Sequence, residues 1–137
     1  MPGSRVLVVD DDRMNCEVVA RLLSDRGYMV DVANDGSEAL ELIARNPYSL
    51  VVLDYLMPGM NGVELFRRAR QLQPELLGVF FTAYANINTV FPAIEAGVDR
   101  VLAKPVDARE LIPWVEQMIG PGDPKLTAVG AKSCDLM

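Results

Sequence analysis

Five short apolar runs recur at steady intervals along the chain. They cover residues 6–9, 29–33, 50–53, 77–81 and 101–103. Most of them are continuous runs of Val, Leu and similar residues rather than alternations of apolar and polar residues. Continuous runs are typical of strands that are covered on both faces, as in a parallel sheet. The runs therefore predict five strands of one parallel sheet.

The segments between and after these runs carry apolar residues at helical spacing, which predicts five helices. The predicted helices cover residues 14–23, 37–44, 63–72, 88–96 and 107–119. Ser37 is expected to cap the second helix, and Asp107 to open the fifth with a capping box. Pro113 lies well inside the fifth helix and should bend it.

Five strand–helix units in about 115 residues predict an open α/β sheet with helices on both faces, because a barrel of eight units needs far more chain. The chain has 137 residues, of which 50% are hydrophobic, and this fits one compact domain. From residue 120 onward the periodicity is lost and Gly and Pro become frequent. We expect one domain over residues 1–119, followed by a flexible tail or truncated linker over residues 120–137.

The chain is acidic, with a net charge of -6 and a pI near 4.6, whereas a nucleic-acid-binding surface would be basic. It has no histidine, and Cys16 and Cys134 lack CxxC spacing, so neither a zinc site nor a disulfide framework is predicted. No signal-peptide pattern is present, and no apolar run approaches the roughly 20 residues that span a bilayer. We expect a cytoplasmic protein that binds neither nucleic acid directly nor membranes.

Polar side chains follow four of the five predicted strands. In chain order they are Asp10, Asp11, Asp12, Asp54, Thr82 and Lys104. The carboxyl ends of the strands line the edge of such a sheet at which ligands bind. Asp12, next to the first helix, is expected to be a helix cap. The other carboxylates would repel one another without a cation, and a small oxygen-only site favours Mg²⁺. Lys104 and Thr82 suit an anion such as a phosphoryl group beside that metal.

Four segments in order carry a family resemblance: "VLVVDDD", "VVLDYLMPGMNGVEL", "FFTAYA" and "VLAKPVD". Over roughly residues 5–119, the chain resembles the receiver (CheY-like) domain of two-component response regulators. The resemblance implies a flavodoxin-like, doubly wound, five-stranded parallel sheet in the order 2-1-3-4-5, flanked by five helices. It also implies a regulatory phosphoacceptor that promotes only its own phosphorylation and dephosphorylation.

The resemblance assigns Asp54 as the phosphoacceptor. Its carboxylate would attack the phosphohistidine of a sensor histidine kinase or phosphotransfer protein and form an acyl phosphate. Mg²⁺ (or Mn²⁺) would be held by Asp54 with Asp10, Asp11 and the main-chain carbonyl of Leu56. Lys104 and Thr82 would contact phosphoryl oxygens. The Lys104–Pro105 bond resembles the family's cis peptide, and Gly62 matches a glycine that opens the third helix.

Output would pass through the loop after the fourth strand and the face formed by the fourth helix, fifth strand and fifth helix. A downstream protein or a missing output domain would respond, and the same face could form a homodimer. Receivers commonly have Tyr or Phe where this chain has Val101, so the usual aromatic switch is not expected here. Leu56 and Tyr84 would flank the approach of water to the phosphoryl group, which predicts slow hydrolysis.

Three other functions are alternatives to that of a phosphorylated receiver. A Mg²⁺-dependent aspartyl phosphatase of the haloacid dehalogenase type needs an acid-base Asp where this chain has Leu56. A pseudo-receiver that only binds partners would be expected to lack Asp54, Lys104 or part of the acidic pair, yet all are present. A flavodoxin-like nucleotide binder needs a Gly-rich loop after the first strand, which "VVDDDRMN" does not supply.

Overall fold

The computed structural model describes residues 4–54, 62–82, 97, 99–103 and 107–122. Five strands lie in this part of the chain: β1 (Arg5–Val9), β2 (Met29–Ala33), β3 (Leu50–Asp54), β4 (Leu77–Thr82) and β5 (Arg100–Ala103). All of their pairings are parallel, and the strand order is β2-β1-β3-β4-β5. The predicted doubly wound order is confirmed.

Four helices accompany the sheet in the described residues: α1 (Arg13–Ser24), α2 (Gly36–Arg45), α3 (Gly62–Leu72) and α4 (Ala108–Ile119). Helix α4 corresponds to the fifth predicted helix, because the predicted helix at 88–96 lies outside the described residues. None of the described helices is long and apolar enough to cross a bilayer.

The start of α2 differs from the prediction that Ser37 caps it. Asp35 is the N-cap, since its carboxylate accepts a hydrogen bond of 2.7 Å from the amide of Glu38. The Glu38 side chain in turn accepts from the amide of Asn34 at 2.8 Å. Two backbone donors are satisfied together, which favours Asp35 over Ser37 as the cap.

The start of α4 agrees with the prediction that Asp107 opens this helix. The Asp107 carboxylate accepts from the amide of Arg109 at 2.9 Å. The guanidinium and amide of Arg109 also hold the pKa of Asp107 below its usual value. Pro113 lies inside α4, which continues from Ala108 to Ile119. The predicted bend at Pro113 stays a prediction.

Two apolar layers lie on opposite faces of the sheet. Along β1, Leu7 and Val9 pack in one layer with α2 and α3, whereas Val6 and Val8 pack in the other with α1 and α4. A strand that supplies both layers must be apolar at every position, which explains the continuous runs. Edge strand β2 departs from this expectation, because Met29 is exposed and the next three residues are only half-buried.

The amino edge of the sheet, where the strands begin, carries acidic side chains beside basic ones. Arg5 lies 3.5 Å from a carboxylate oxygen of Asp31, which also accepts a 2.6 Å hydrogen bond from the Tyr48 hydroxyl. Arg70 lies 3.7 Å from Asp99, whose carboxylate accepts from the amide of Gly78 at 2.9 Å. Charges at this edge are therefore matched within the fold.

Gln73, just after α3, joins this amino edge to the turn before β3. Its amide nitrogen donates to the carbonyls of Ile43 at 2.8 Å and Asn46 at 2.6 Å. Its amide oxygen accepts from the backbone N–H of Tyr48 at 2.9 Å. One side chain thus satisfies three backbone groups at the end of α2 and in the turn that follows it.

The chain after α4 lies against the turn before β2. The buried Tyr28 hydroxyl donates to the carbonyl of Gly120 at 2.5 Å, and burial raises the pKa of Tyr28 to about 12. A Cβ at Gly122 would lie 2.1 Å from the carbonyl oxygen of Arg26. Gly122 therefore permits a backbone approach that no other residue would allow without movement.

Candidate functional site

The carboxyl edge of the sheet, where the strands end, gathers polar side chains from its three central strands. Asp10 follows β1, Asp54 ends β3 and Thr82 ends β4. The register places Val9 beside Leu53, so the residues that follow β1 and end β3 lie at one level. All three polar side chains are buried, with exposures of 3% for Asp10, 9% for Asp54 and 2% for Thr82.

Asp11 completes a group of three carboxylates at this edge. One oxygen each from Asp10, Asp11 and Asp54 lies within 4.8 Å of the others. Oxygens that share one Mg²⁺ are at most about 4.2 Å apart, since each lies about 2.1 Å from the ion. The three carboxylates therefore fit a small hard cation if their oxygens move slightly closer together or if one of them contacts the ion through a water molecule.

The Asp10 side chain and main chain are both held by neighbours. Its Oδ1 accepts from the amide of Asp12 at 2.9 Å, and its Oδ2 from the side-chain amide of Asn15 at 2.5 Å. Its main-chain carbonyl accepts from the Asn34 side chain at 3.1 Å and from the Cys16 thiol at 3.2 Å. These contacts fix both where Asp10 sits and how its carboxylate is turned.

The three consecutive aspartates have three different environments. Asp10 is buried, whereas Asp11 is exposed. Asp12 is the N-cap of α1, as predicted, because its Oδ1 accepts from the amides of Met14 at 3.0 Å and Asn15 at 3.3 Å. The cluster of three carboxylates therefore includes the first two aspartates of the run and excludes the third.

Cys16 lies directly behind Asp10 in the first turns of α1. Burial and the negative charge of Asp10 raise the pKa of its thiol to about 11. The thiol therefore stays protonated at neutral pH, and it donates to the Asp10 carbonyl. A protonated buried thiol is a weak donor and a poor nucleophile, so Cys16 supports the loop rather than reacting.

Sequence reasoning did not identify Asn15, Asn34 or Cys16 as neighbours of the site. Asn15 lies in the first turn of α1, three residues beyond the Asp12 cap, from where a side chain can reach back to the preceding loop. Asn34 follows the end of β2, the strand next to β1. The position of Asn34 after a strand is the same signal that identified Asp54 and Thr82.

Two of the predicted switch and structural residues, Val101 and Gly62, lie in the described part of the chain. Val101 in β5 pairs with Phe80 and packs, half-buried, against the layer that contains α3. Gly62 is the first residue of α3 and is buried, in agreement with its predicted position. Lys104, Pro105, Leu56 and Tyr84 lie outside the described residues. β5 ends at Ala103, whose partner in the register is Thr82.

The family model of the response regulator receiver domain matches residues 6–116. Response regulator MprA of Mycobacterium sp. strain KMS is 39% identical over 130 residues, which cover 90% of this chain and 56% of that protein. The chain thus spans about half the length of the curated relatives that it matches.

Solved structures of response regulators have the same fold. TrrA from Thermotoga maritima in complex with Mg(2+)-BeF is 31% identical with a TM-score of 0.76, over 85% of this chain and 99% of that one. A response regulator from Burkholderia pseudomallei with a phosphorylated aspartic acid, calcium ion and citrate is 27% identical. Its TM-score is also 0.76, over 96% of this chain and 73% of that one.

Proposed function

Because the chain belongs to the receiver-domain family of two-component response regulators, we propose that Asp54 is the residue at which it accepts a phosphoryl group. The observation that carries this assignment is the convergence of Asp54 with Asp10 and Asp11 within 4.8 Å. Of these three, Asp54 alone lies within a strand, the central strand β3, which has β1 on one side and β4 on the other.

The reaction at Asp54 is a transfer between two nucleophiles. A carboxylate oxygen of Asp54 forms a bond to phosphorus while the bond from phosphorus to the donor's imidazole nitrogen breaks. The bond electrons return to the imidazole, and Asp54 becomes an acyl phosphate. Because strand β3 holds Asp54 at its end, the attacking oxygen is already oriented, which lowers the entropic part of the barrier.

Asp10, Asp11 and Asp54 would hold Mg²⁺ (or Mn²⁺) through carboxylate oxygens, with the main-chain carbonyl of Leu56 as a further ligand. The metal, when bound, neutralises charge on the attacking carboxylate and on the phosphoryl oxygens. Asp10 is already fixed by two hydrogen bonds to its carboxylate, so it suits contact through a metal-bound water. Asp11, which is exposed, is free to move onto the metal.

Thr82 and Lys104 are proposed to contact the phosphoryl oxygens. Thr82 ends β4, directly beside β3, and its side chain is buried at the carboxyl edge. A hydroxyl there can donate to a phosphoryl oxygen on Asp54, and an ammonium from Lys104 would add charge-assisted bonds. Movement of Thr82 toward the modified Asp54 would carry the signal into the loop that follows β4.

The donor is proposed to be the phosphohistidine of a sensor histidine kinase or of a phosphotransfer protein. This class of partner is supported by relatives that include response regulator MprA and the transcriptional regulatory protein DltR of Streptococcus agalactiae. A downstream protein or output domain would read the face that includes β5 and α4. This same face is the proposed surface for a homodimer.

Family membership favours a receiver over the phosphatase and nucleotide-binding alternatives. A test of phosphorylation separates a working receiver from a pseudo-receiver. We expect a small phosphodonor such as acetyl phosphate with Mg²⁺ to raise the intact mass by one phosphoryl group. Asp54→Asn should abolish this adduct, because an amide is a far weaker nucleophile than a carboxylate.

Asp12→Asn is the matched control for this experiment. It makes the same chemical change in the acidic loop, and Asn is an equally good helix cap. The control should acquire the phosphoryl group as the wild type does. A stable adduct on Asp54→Asn, or an unmodified wild type in the presence of Mg²⁺, would contradict the assignment.

A further inference from the structure

Asn15 donates a hydrogen bond from its side chain to the carboxylate of Asp10. The Asn15 Nδ2 lies 2.5 Å from Asp10 Oδ2. The other carboxylate oxygen accepts from the backbone amide of Asp12 at 2.9 Å. With one donor on each oxygen, the Asp10 carboxylate cannot rotate about its Cβ–Cγ bond without breaking a hydrogen bond.

The position of Asn15 is itself fixed by the start of α1. Its backbone amide donates to the Asp12 carboxylate at 3.3 Å, so the residue is anchored in the capped first turn. The side chain therefore reaches Asp10 from a rigid helix rather than from a loop. Rigid presentation is what a residue needs if it is to orient another side chain.

The Asn15 hydrogen bond leaves Asp10 able to serve the metal. A carboxylate oxygen has two lone pairs, so Oδ2 can accept from Asn15 and still meet a cation or a metal-bound water. One oxygen of Asp10 lies within 4.8 Å of oxygens of Asp11 and Asp54 while the Asn15 bond is made. Contact with Asn15 and the metal-binding arrangement therefore coexist in one structure.

We infer that Asn15 is a positioning residue for metal binding, which turns the Asp10 carboxylate toward Asp11 and Asp54. The inference rests on the proposed function, in which these three acids hold Mg²⁺. Without the Asn15 amide, Asp10 could still bind, but its carboxylate would have to be ordered when the metal arrives. Hydrogen-bond partners of metal ligands commonly change metal affinity by about 10–100-fold when they are removed.

Asn34 provides a matched control, because it contacts Asp10 through a different atom. Its side-chain amide donates to the main-chain carbonyl of Asp10 at 3.1 Å and to the Cys16 sulfur at 3.6 Å. It therefore supports the backbone at the end of β1 and leaves the carboxylate alone. A comparison of the two asparagines separates orientation of the carboxylate from general support of the loop.

The experiment titrates Mg²⁺ into the full chain by calorimetry, for the wild type, Asn15→Ala and Asn34→Ala. Asn15→Ala should weaken Mg²⁺ binding by about tenfold, and Asn34→Ala by less than about twofold. Asn15→Leu, which keeps the number and branching of the side-chain heavy atoms but has no donor, should behave as Asn15→Ala does. Circular dichroism establishes that each variant is folded before it is titrated, and either Asn15 variant suffices for the test.

Phosphorylation by acetyl phosphate gives a second readout that a purely structural role would not produce. In Asn15→Ala the Mg²⁺ concentration for half-maximal phosphorylation should rise by the same factor, about tenfold. Most of the change should fall on this midpoint rather than on the rate at saturating Mg²⁺.

Two results would overturn the inference: an unchanged Mg²⁺ affinity in the folded Asn15 variants, or an equal loss in Asn34→Ala. If the wild type itself bound no Mg²⁺, the proposed function would fail first.

Discussion

The two edges of the sheet arrange their charges differently. At the amino edge, Asp31 lies 3.5 Å from Arg5, and Asp99 lies 3.7 Å from Arg70. At the carboxyl edge, oxygens of three carboxylates lie within 4.8 Å of one another. Both edges belong to the same five strands, so the difference is not imposed by the fold. It fits the cation binding that is proposed for the carboxyl edge.

The ion pairs of the amino edge are completed when the chain folds, although half-exposed pairs of this kind contribute only about 0–1 kcal/mol each. The carboxylates of the carboxyl edge carry like charges that repel one another, and a bound cation would relieve this repulsion. On the proposed function, folding completes the charge balance of the amino edge, whereas a bound cation would complete that of the carboxyl edge. Changes at the first should alter stability, and changes at the second should alter metal binding.

The largest effect is expected from Asp11→Ala. This change removes an exposed proposed ligand without disturbing the core, so Mg²⁺ affinity should fall at least about 100-fold and phosphorylation should be lost with it. Calorimetry and intact-mass analysis measure the two effects. Asp31→Ala, at the amino edge, should leave Mg²⁺ affinity unchanged. Normal metal-dependent phosphorylation of Asp11→Ala would show that Asp11 is not a ligand.

At the amino edge, the largest effect is expected from Gln73→Ala. Three backbone groups lose their partner, and the free energy of unfolding should fall by about 2 kcal/mol. Urea unfolding measures this change, and Mg²⁺ affinity should not follow it. Gln71→Ala, at an exposed position of α3, should change the free energy by less than about 0.5 kcal/mol. Equal effects of the two variants would show that the Gln73 contacts contribute nothing.

Asp11→Asn is expected to have a smaller effect, on the free energy of unfolding, and the sign of this effect should depend on whether Mg²⁺ is present. In the presence of a chelator, the variant should be more stable than the wild type by about 0.5–1 kcal/mol, because one repelling charge is gone. In excess Mg²⁺ the order should reverse, since only the wild type gains the full free energy of metal binding. Thermal or urea unfolding under both conditions gives the two differences.

Asp99→Asn is the amino-edge counterpart of this change. It weakens the pair with Arg70 and should lower stability with and without Mg²⁺. If Asp11→Asn destabilised the metal-free protein as Asp99→Asn does, repulsion between carboxylates would not distinguish the carboxyl edge from the amino edge.

The smallest effect concerns Val101 and the spread of the signal from the carboxyl edge. A branched Val side chain is stiff and cannot make the swing of an aromatic ring. Hydrogen exchange should therefore change more at Thr82 and residues 83–92 on phosphorylation than at Val101. Exchange around Asp99, at the amino edge, should change least. If hydrogen exchange changed most at Val101, β5 would respond to phosphorylation without an aromatic residue at this position.

The strands were predictable because each central strand supplies two apolar layers, and the pattern of Val6 to Val9 admits few other folds. The edge strand β2 was predicted from the same pattern, although its side chains are mostly half-exposed and an apolar residue is not required at every position. The cap of α2 was predicted wrongly as Ser37, because Ser37 and Asp35 are both good caps. The choice depends on Glu38 reaching the amide of Asn34, which is a matter of geometry.

The grouping of Asp10 with Asp54 was predictable because parallel strands end at one edge. The hydrogen bond from Asn15 to Asp10 was not, since it depends on the rotamer of a residue in a helix. Periodicity shows which face of a helix is buried, and it carries no information about a polar side chain that turns back to a loop. Residues that position the side chains of a site, such as Asn15, are therefore harder to predict than the carboxylates of the site itself.

The contact of Tyr28 with Gly120 has a consequence for engineering this domain. Because Gly122 lies against Arg26, a fluorescent reporter fused directly after it would leave from a fixed point at the amino edge. That point is about one strand length, roughly 17 Å, from the level of Asp54. Attachment at this point would restrain the position of the reporter relative to the sheet. Replacing Tyr28 with Phe would remove the hydrogen bond to Gly120, and the position of the reporter would be less well defined.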